Sequence, residues 1–272
     1  MLEHSKIVFV GSGNMGEAMI KGILAHKLAA PGQITACDIL ESRLDYMAST
    51  YDIRTSTDSV SAIEDASIVV LSIKPQVLSG VGSSLHRKAP PDALVLSIIA
   101  GASLETLSHG MGHSRVVRSM PNTPAQVNMG VTCWIASPDV TDGQKEQTRA
   151  MLGALGDEIE VQKEDFLDMQ TGLGGSGPGF VFLIIEAMID AGVQMGFSRD
   201  QAQTIALQTI AGSVELVKAT GEHPAALRNK VTSPGGTTAA GIYALEKGGL
   251  RTVLTDAIFA AYRRSQELGK IT

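Results

Sequence analysis

The sequence is poor in cysteine, in aromatic residues and in positive charge. Its 272 residues include two cysteines, Cys37 and Cys133, each in an apolar stretch, which excludes a disulfide framework and a cysteine-rich zinc site. We expect a reducing compartment and no bound metal. Lys and Arg number 22 against 28 Asp and Glu, and the formal net charge of -6 argues against binding along a phosphate backbone. Nucleic acid is therefore not an expected partner.

A clean hydrophobic run of membrane-spanning length is also missing. The most apolar long stretch, residues 179–195, contains Glu186 and Asp190, and we expect it to fall short of a membrane span. The first apolar run, residues 7–10, ends at Gly11 and is too short for a secretory signal. We therefore expect a cytoplasmic protein without a membrane partner. The overall composition, 44% hydrophobic and 18% charged, is that of a globular chain with one large or two modest domains.

The pattern of apolar residues changes along the chain. Up to about residue 157, short β-branched runs alternate with helix-like segments, as in the βαβ units of a parallel sheet. After about residue 164 the apolar residues recur at helical spacing. We therefore predict an α/β domain over residues 1–164 and an all-helical domain over residues 165–272. The predicted strands are residues 7–10, 34–37, 68–73, 94–98, 115–119 and 131–135.

One helix of the second domain has apolar residues almost all round. It is predicted over residues 180–195 and must be buried on most of its sides. It is either the central core helix of its own domain or a helix buried between two subunits. The small size of the helical domain favours the second interpretation at least as much as the first.

A glycine-rich segment follows the first predicted strand and precedes a helix-like stretch, residues 17–24. In that context the pattern G-x-G-x-x-G predicts a dinucleotide-binding turn, because its glycines permit a tight turn and the close approach of a pyrophosphate to a helix N-terminus. A purely structural turn is the alternative. The predicted coenzyme-binding residues of this segment are Gly11, Ser12, Gly13, Asn14, Met15 and Gly16.

Asp38 follows the second predicted strand, 22 positions after Gly16. A carboxylate at this place accepts a hydrogen bond from a ribose 2′-hydroxyl and repels a 2′-phosphate, which favours NAD(H). Arg43 is close enough in sequence to compensate if its side chain folds back. The alternative is that Asp38 is a solvated loop or cap residue.

Residues 233–238 read Ser-Pro-Gly-Gly-Thr-Thr and precede a helix-like segment, residues 239–247. Glycines and hydroxyl residues at a helix start expose backbone N–H groups that suit a carboxylate. An ordinary helix N-cap explains the same pattern. The segment alone does not separate these two interpretations.

Five segments of the chain occur in the order and spacing of a known enzyme family. They are residues 11–16, 72–76 (SIKPQ), 118–124 (RSMPNTP), 171–178 (TGLGGSGP) and 227–238 (LRNKVTSPGGTT). Through them, nearly all of the chain resembles the pyrroline-5-carboxylate reductases. The resemblance implies a Rossmann-type NAD(P)-binding domain followed by a helical dimerisation domain. It also implies NAD(P)H-dependent reduction of L-1-pyrroline-5-carboxylate to L-proline, the last step of proline biosynthesis, by a dimer that is often assembled into decamers.

The resemblance also implies roles for individual residues. Thr238 is the catalytic residue, with its hydroxyl directed at the ring nitrogen of the substrate, and Glu222 lies near the substrate. The substrate carboxylate is held by Ser233, Gly236 and Thr237. The nicotinamide side of the coenzyme site is lined by Ser72, Ile73, Lys74, Pro75, Ala100 and Gly101, and the ring is flanked by Asn122, Thr123 and Pro124.

The sequence departs from the family pattern at four positions. Asp38 stands where NADP-preferring members carry a neutral or hydroxyl residue, so family habit favours NADP(H) whereas Asp38 favours NAD(H). Ser59 stands where many members have an asparagine that touches the coenzyme ribose. Gly175 and Gly179 replace the usual serine and alanine near the start of the apolar helix.

Reduction of a protonated cyclic imine neutralises charge and requires mainly positioning, without a strong general base. A related imine reductase is therefore an alternative. A β-hydroxyacid-type dehydrogenase needs a catalytic lysine after the glycine-rich junction, and residues 179–196 contain none. A dinucleotide-sensing protein without turnover is a third alternative, although it would have no use for residues 233–238.

Overall fold

Contacts divide the chain into two compact units in the computed structural model, which describes Leu2 and residues 4–269. The first unit comprises Met1–Ser176 and Ala261–Thr272, and the second comprises Gly177–Ala260. The domain boundary between residues 164 and 165 stays a prediction.

The first unit is built on one eight-stranded sheet. Its strands are β1 (Ile7–Val10), β2 (Ile34–Cys37), β3 (Arg54–Ser56), β4 (Ile68–Leu71), β5 (Leu94–Ser97), β6 (Val116–Met120), β7 (Gly130–Ala136) and β8 (Gly156–Glu160). They lie in the order β3-β2-β1-β4-β5-β6-β7-β8. The six strands predicted from the sequence are confirmed to within a few residues at each end.

Seven helices of the first unit follow these strands in the chain. They are α1 (Asn14–Ala25), α2 (Glu41–Tyr51), α3 (Ser59–Ile63), α4 (Leu78–Leu85), α5 (Leu104–Met111), α6 (Asp142–Gly153) and α7 (Asp165–Gln170). The strand order and the connecting helices give the doubly wound arrangement of a dinucleotide-binding fold. The predicted Rossmann-type fold of this part is confirmed.

The sheet is not wholly parallel, which corrects the prediction of a parallel sheet. All neighbouring strands are parallel except β6 and β7, which pair antiparallel with Met120 opposite Cys133. The connection between these two strands contains one short 3-10 helix, Thr123–Val127, and no crossover α-helix. A connection of this length suits an antiparallel return better than a parallel crossover.

The strands of the sheet's centre are buried on both faces. Phe9 of β1 belongs to one apolar core together with Ile20 and Trp134, and Val8 belongs to the opposite core together with Leu107. Successive side chains of a strand point to opposite faces, so one apolar run supplies both cores. The fold therefore places the carboxyl ends of β1, β2 and β4 on a rigid base.

The second unit consists of helices. They are α8 (Gly177–Gln194), α9 (Arg199–Thr220), α10 (Pro224–Lys230), α11 (Thr237–Lys247) and the first part of α12 (Leu250–Gly269), whose residues from Ala261 onward belong to the first unit. The apolar helix predicted over residues 180–195 is confirmed as α8, with an earlier start. Gly192 of α8 allows a close approach to α9, because a Cβ there would lie 2.8 Å from the Cβ of Ala202.

This helical unit has almost no core of its own. Among its described residues, Ala202 and Ala206 are the buried apolar ones. Large apolar side chains of α8 are instead accessible, with Phe182 59% and Leu183 64% exposed. An apolar face of this extent needs a cover.

The continuous helical stretch Asp165–Gln194 is long and apolar enough, by length and composition, to cross a membrane. This stretch is longer than residues 179–195, for which a clean membrane span was not expected. The helical run begins well before residue 179, so a window of the required length contains no more than two charged side chains. Length and composition are weak evidence for a membrane, since core helices of soluble proteins meet the same test.

Candidate functional site

The glycine-rich turn leads from the carboxyl end of β1 into α1. Gly11 has a φ of +93°, and a Cβ at this position would lie 2.7 Å from the carbonyl oxygen of Ser72. The hydroxyl of Ser72 donates a hydrogen bond to the carbonyl oxygen of Gly11 at 2.6 Å. Gly16 is equally confined, because a Cβ there would lie 2.9 Å from that same oxygen. The close packing of the turn therefore explains why Gly11 and Gly16 carry no side chain.

The middle glycine of the turn has a different environment. Gly13 is exposed, and apart from its two chain neighbours no described residue lies within 4 Å of the position of a Cβ there. The outer side of the turn is therefore free of side chains at this position, where a pyrophosphate would meet the N-terminus of α1. This open, backbone-lined turn fits a dinucleotide, so the residues present match the coenzyme predicted from the sequence.

Asp38 lies at the end of β2 and is half-buried. Its Oδ2 accepts hydrogen bonds from the backbone N–H and the hydroxyl of Ser12, both at 2.9 Å, and its Oδ1 accepts one from the N–H of Leu40 at 3.2 Å. Burial by itself raises the pKa of Asp38, but these hydrogen bonds outweigh it and hold the pKa below its ordinary value. The carboxylate is thus ionised and fixed beside the glycine-rich turn.

Arg43 folds back onto the same turn. Its Nε donates to the carbonyl oxygen of Ser12 at 2.6 Å, and its guanidinium also pairs with Glu17 in the first turn of α1. The sequence alone raised Arg43 as a compensating cation but did not predict its pairing with Glu17. An arginine six positions after a strand end gives no local signal for the residue with which it pairs.

The predicted nicotinamide side lies at the carboxyl ends of β4 and β5. A cavity of about 1150 Å³ opens there within the first unit, lined by Pro75, Ala100 and Gly101 and by the last turns of α12. Ile73 packs beside the turn, where a Cβ on Gly11 would lie 2.9 Å from its Cγ2. Lys74 is exposed before a 3-10 turn, and Ser59 is half-buried at the start of α3.

A buried arginine, to which no site role was assigned from the sequence, anchors the start of α5, three positions after Gly101. Arg118 of β6 pairs with Glu164 at 2.9 Å, and the same carboxylate oxygen accepts the N–H of Leu104 at 2.8 Å. Glu164 therefore links the sheet to the N-terminus of α5. A polar residue inside an apolar strand was the available signal for this anchor.

Asn122 has a side chain that is occupied by the protein itself. Its Nδ2 donates to the carbonyl oxygen of Gly174 at 3.0 Å, and its Oδ1 accepts the N–H of Val131 at 2.9 Å. The residue clamps the start of β7 to the π-helical turn Thr171–Gly175. The neighbouring Thr123 is exposed and Pro124 is half-buried, and the placement of these three residues beside the nicotinamide ring stays a prediction.

The predicted substrate residues lie in the helical unit, around the start of α11. The N–H of Gly236 donates to the carbonyl oxygen of Ser233 at 3.0 Å, and a Cβ on Gly236 would lie 2.5 Å from the Ser233 hydroxyl oxygen. Gly235 has a φ of +70°. The N-cap of α11 is Gly236, and no side chain among the described residues caps the first-turn N–H groups, which include those of Thr237 and Thr238.

Glu222 lies between α9 and α10 and is paired with Lys230, whose Nζ lies 2.6 Å from its Oε1. Lys230 stands three positions before Ser233 and was not among the predicted site residues. The structure thus groups the turn residues with Asp38 in one unit and the predicted carboxylate-binding residues in the other.

These features define a two-part oxidoreductase, with a Rossmann-type dinucleotide-binding unit and a helical unit. Residues 164–268 match the family model for pyrroline-5-carboxylate reductase dimerisation, and residues 6–101 match the model for NADP oxidoreductase, coenzyme F420-dependent. The chain is 45% identical over 261 residues to a pyrroline-5-carboxylate reductase of Synechocystis, an alignment covering 96% of the chain and 97% of the relative. A reductase of the same name from Methanosarcina acetivorans is 38% identical, with 99% and 100% covered.

Solved structures agree with these relatives. A pyrroline-5-carboxylate reductase from Coxiella burnetii superimposes with a TM-score of 0.90 at 33% identity, covering 97% of this chain and 98% of the other. The pyrroline carboxylate reductase of Plasmodium falciparum, solved with NADP bound, has a TM-score of 0.88 at 30% identity, with 98% and 99% covered. The chain belongs to the pyrroline-5-carboxylate reductase family.

Proposed function

We propose that this protein reduces L-1-pyrroline-5-carboxylate to L-proline by hydride transfer from NAD(P)H, as the last step of proline biosynthesis. The observation that carries the proposal is the open glycine-rich turn at the end of β1. Both units of the chain lie within the alignment to known pyrroline-5-carboxylate reductases. The turn receives the pyrophosphate of the coenzyme, and the bound coenzyme supplies the hydride.

The residues at the start of α11 bind and orient the substrate. Ser233, Gly236 and Thr237 hold its carboxylate. Ser233 and Thr237 offer hydroxyls, and the N–H of Thr237 is not used by a side-chain cap. Gly236, whose own N–H is bonded to the Ser233 carbonyl, leaves the start of α11 free of a side chain. Thr238 directs its hydroxyl at the ring nitrogen, accepting from the protonated imine or donating to the product amine. Glu222 lies near the substrate, and its pairing with Lys230 keeps its charge balanced.

The coenzyme is held by the turn residues Gly11, Ser12, Gly13, Asn14, Met15 and Gly16, with Asp38 and Ser59 on the adenosine side. The nicotinamide lies toward the cavity that Pro75, Ala100 and Gly101 line. Ser72 supports this arrangement by fixing the carbonyl of Gly11. Ile73, Lys74, Asn122, Thr123 and Pro124 complete the nicotinamide side.

The protein acts as a dimer in the cytoplasm, and dimers assemble further into decamers. The matched dimerisation model contains α8, whose large apolar side chains are exposed in the single chain. A second copy of the chain covers them, so the apolar stretch Asp165–Gln194 does not require a membrane. Each chain of this dimer has two domains. Residues 1–164 bind the coenzyme, and residues 165–272 form the dimer interface and bind the substrate.

A coupled assay tests the proposed activity. Purified protein is incubated with pyrroline-5-carboxylate and either NADH or NADPH, while coenzyme oxidation is recorded and L-proline is identified in the product. The control substrate is 1-pyrroline, which lacks the carboxylate. Equal rates on both imines would assign a general imine reductase instead, and coenzyme binding without oxidation would assign a dinucleotide sensor.

A further inference from the structure

Glu17 is the centre of a hydrogen-bond cluster beside the glycine-rich turn. Its Oε1 accepts the hydroxyls of Tyr51 at 2.7 Å and Tyr46 at 3.0 Å, both from α2. Its Oε2 pairs with Arg43 of the same helix. Burial raises the pKa of Glu17, but the hydrogen bonds from Arg43 and the two tyrosines lower this pKa by more than burial raises it, so Glu17 is ionised at neutral pH.

Two nitrogens of the Arg43 guanidinium, Nε and Nη2, therefore have protein partners. Its Nε donates to the Ser12 carbonyl oxygen at 2.6 Å, and its centre lies 5.1 Å from the ring centroid of Tyr46. The side chain is only 23% exposed. Arginine recognises phosphate best through two free parallel N–H donors, and here two of the three guanidinium nitrogens already have protein partners.

The charges around Ser12 match this geometry. Asp38 accepts hydrogen bonds from the N–H and the hydroxyl of Ser12, and Arg43 donates one to the Ser12 carbonyl. Both charged side chains therefore contact the same residue of the turn. With Glu17 included, this cluster contains one cation, Arg43, and two carboxylates, Asp38 and Glu17. A ribose 2′-hydroxyl can donate to such a site, whereas a 2′-phosphate meets an excess of negative charge.

We propose that Glu17 is a positioning residue for coenzyme choice: it holds Arg43 against the glycine-rich turn and so keeps that cation from a 2′-phosphate. The inference rests on the proposed function only in that a nicotinamide coenzyme binds at this turn. In this arrangement Asp38 acts directly on the ribose, and Glu17 acts through Arg43. Loss of the Glu17 charge releases Arg43 and improves binding of the 2′-phosphorylated coenzyme.

A purely structural role for Glu17 makes a different prediction. If the cluster only joins α1 to α2, its removal weakens the binding of both coenzymes in proportion. The informative quantity is therefore the ratio of two affinities, one for a ligand with a 2′-phosphate and one for the same ligand without it.

The test uses two adenosine fragments, adenosine 2′,5′-bisphosphate and 5′-AMP, titrated calorimetrically into the full-length protein. We expect Glu17→Gln to raise the affinity ratio in favour of the bisphosphate about tenfold, the size of one added charge-assisted contact. Asp45→Asn is the matched control, since Asp45 is an exposed acid of α2 for which no hydrogen bond or ion pair is found among the described residues. It should leave the ratio unchanged.

Two further variants keep the test decisive. Arg43→Gln should change the ratio less than about threefold, because Arg43 does not serve the 2′-position in the parent protein. In the double variant Glu17→Gln, Arg43→Gln the gain should disappear. A large fall of the ratio in Arg43→Gln, a gain that persists in the double variant, or an unchanged ratio in folded Glu17→Gln would each overturn the inference.

The fragments also separate this inference from the proposed function. A shift in the ratio without pyrroline-5-carboxylate reduction would refute the proposed activity and leave the role of Glu17 standing. Reduction of pyrroline-5-carboxylate with an unchanged ratio would do the reverse.

Discussion

Two hydrogen bonds join Asp38 to Ser12, one from the backbone N–H and one from the hydroxyl, each 2.9 Å long. They tie the end of β2 to the glycine-rich turn after β1. The Asp38 carboxylate, which was expected to bind the coenzyme ribose, thus also stabilises the turn where the coenzyme pyrophosphate is expected to bind. Its substitution should affect both coenzyme choice and the shape of the turn.

We expect NADH to be a competent hydride donor and Asp38→Ser to shift the preference toward NADPH. The carboxylate favours a free 2′-hydroxyl by one charge-assisted hydrogen bond, which corresponds to about tenfold to a hundredfold in the ratio of specificity constants. The measurement is kcat/KM for both coenzymes in the parent protein and the variant, with the exposed Glu41→Gln as control. A strong NADPH preference that Asp38→Ser leaves unchanged would contradict the assignment of Asp38 to the ribose.

The same residue predicts a pH dependence of stability. The folded-state pKa of Asp38 is lowered from 3.8, so its stabilising contribution is fully present above that value and is lost as the pH falls through the lower folded pKa. The difference in unfolding free energy between the parent protein and Asp38→Asn should be constant from pH 5 to about pH 8 and shrink below about pH 4. Urea unfolding at a series of pH values measures it. A difference that grows on acidification would reverse the sign of the predicted shift.

Two glycine substitutions should separate folding from coenzyme binding. Gly11→Ala places a methyl group 2.7 Å from the Ser72 carbonyl at a φ of +93°, so it should cost about 1–3 kcal/mol of stability. Gly13→Ala meets no described residue within 4 Å and should keep the melting temperature while weakening coenzyme binding about tenfold, because its methyl group points where the pyrophosphate approaches. Thermal melts and coenzyme titrations of both variants test the pair. Normal coenzyme affinity in Gly13→Ala would place the pyrophosphate elsewhere.

Thr238→Val should lower turnover about tenfold to a hundredfold and leave coenzyme affinity intact, because only the orienting hydroxyl is lost. Thr238→Ser keeps the hydroxyl and is the matched control. Steady-state kinetics with pyrroline-5-carboxylate and separate coenzyme titrations provide the two readouts. A valine variant with unchanged kcat would make Thr238 only the second residue of α11.

Ile184→Glu should convert the protein into an inactive monomer or an aggregate. Ile184 is 38% exposed on α8, within the apolar face that a second chain is proposed to cover. Ile159→Glu is the control, since Ile159 is exposed on β8 in the other unit. Sedimentation velocity and activity are measured together. A fully active monomer of the parent protein would refute the need for this interface.

Four of the six strands that could be predicted from the sequence, β1, β2, β4 and β5, have nearly continuous apolar runs. β1 and β4 are buried on both faces, and that burial requires the composition that reveals them. β3 and β8 lie at the two edges of the sheet and contain polar residues, so neither stood out against the surrounding loops. The antiparallel direction of β7 follows from its short connection to β6. The apolar pattern of the sequence does not show the path of that connection.

The site shows a similar division. The positions of the glycines and of Asp38 followed from spacing, because a turn after a strand and the end of the next strand meet at one edge of a doubly wound sheet. The partners of Arg43 and the two internal hydrogen bonds of Asn122 did not follow, since side-chain pairing between distant segments leaves no local pattern.

The last helix has a consequence for how the chain is made. Ala261–Thr272 belongs to the first unit, and within it the Ser265 hydroxyl donates to Asp168 at 2.7 Å. The wall of the cavity in the first unit is therefore incomplete until residues 261–269 have been synthesised. A nascent polypeptide that has exposed residues 4–176 still lacks that segment, and removal of the last turns of α12 therefore affects the unit that contains the sheet.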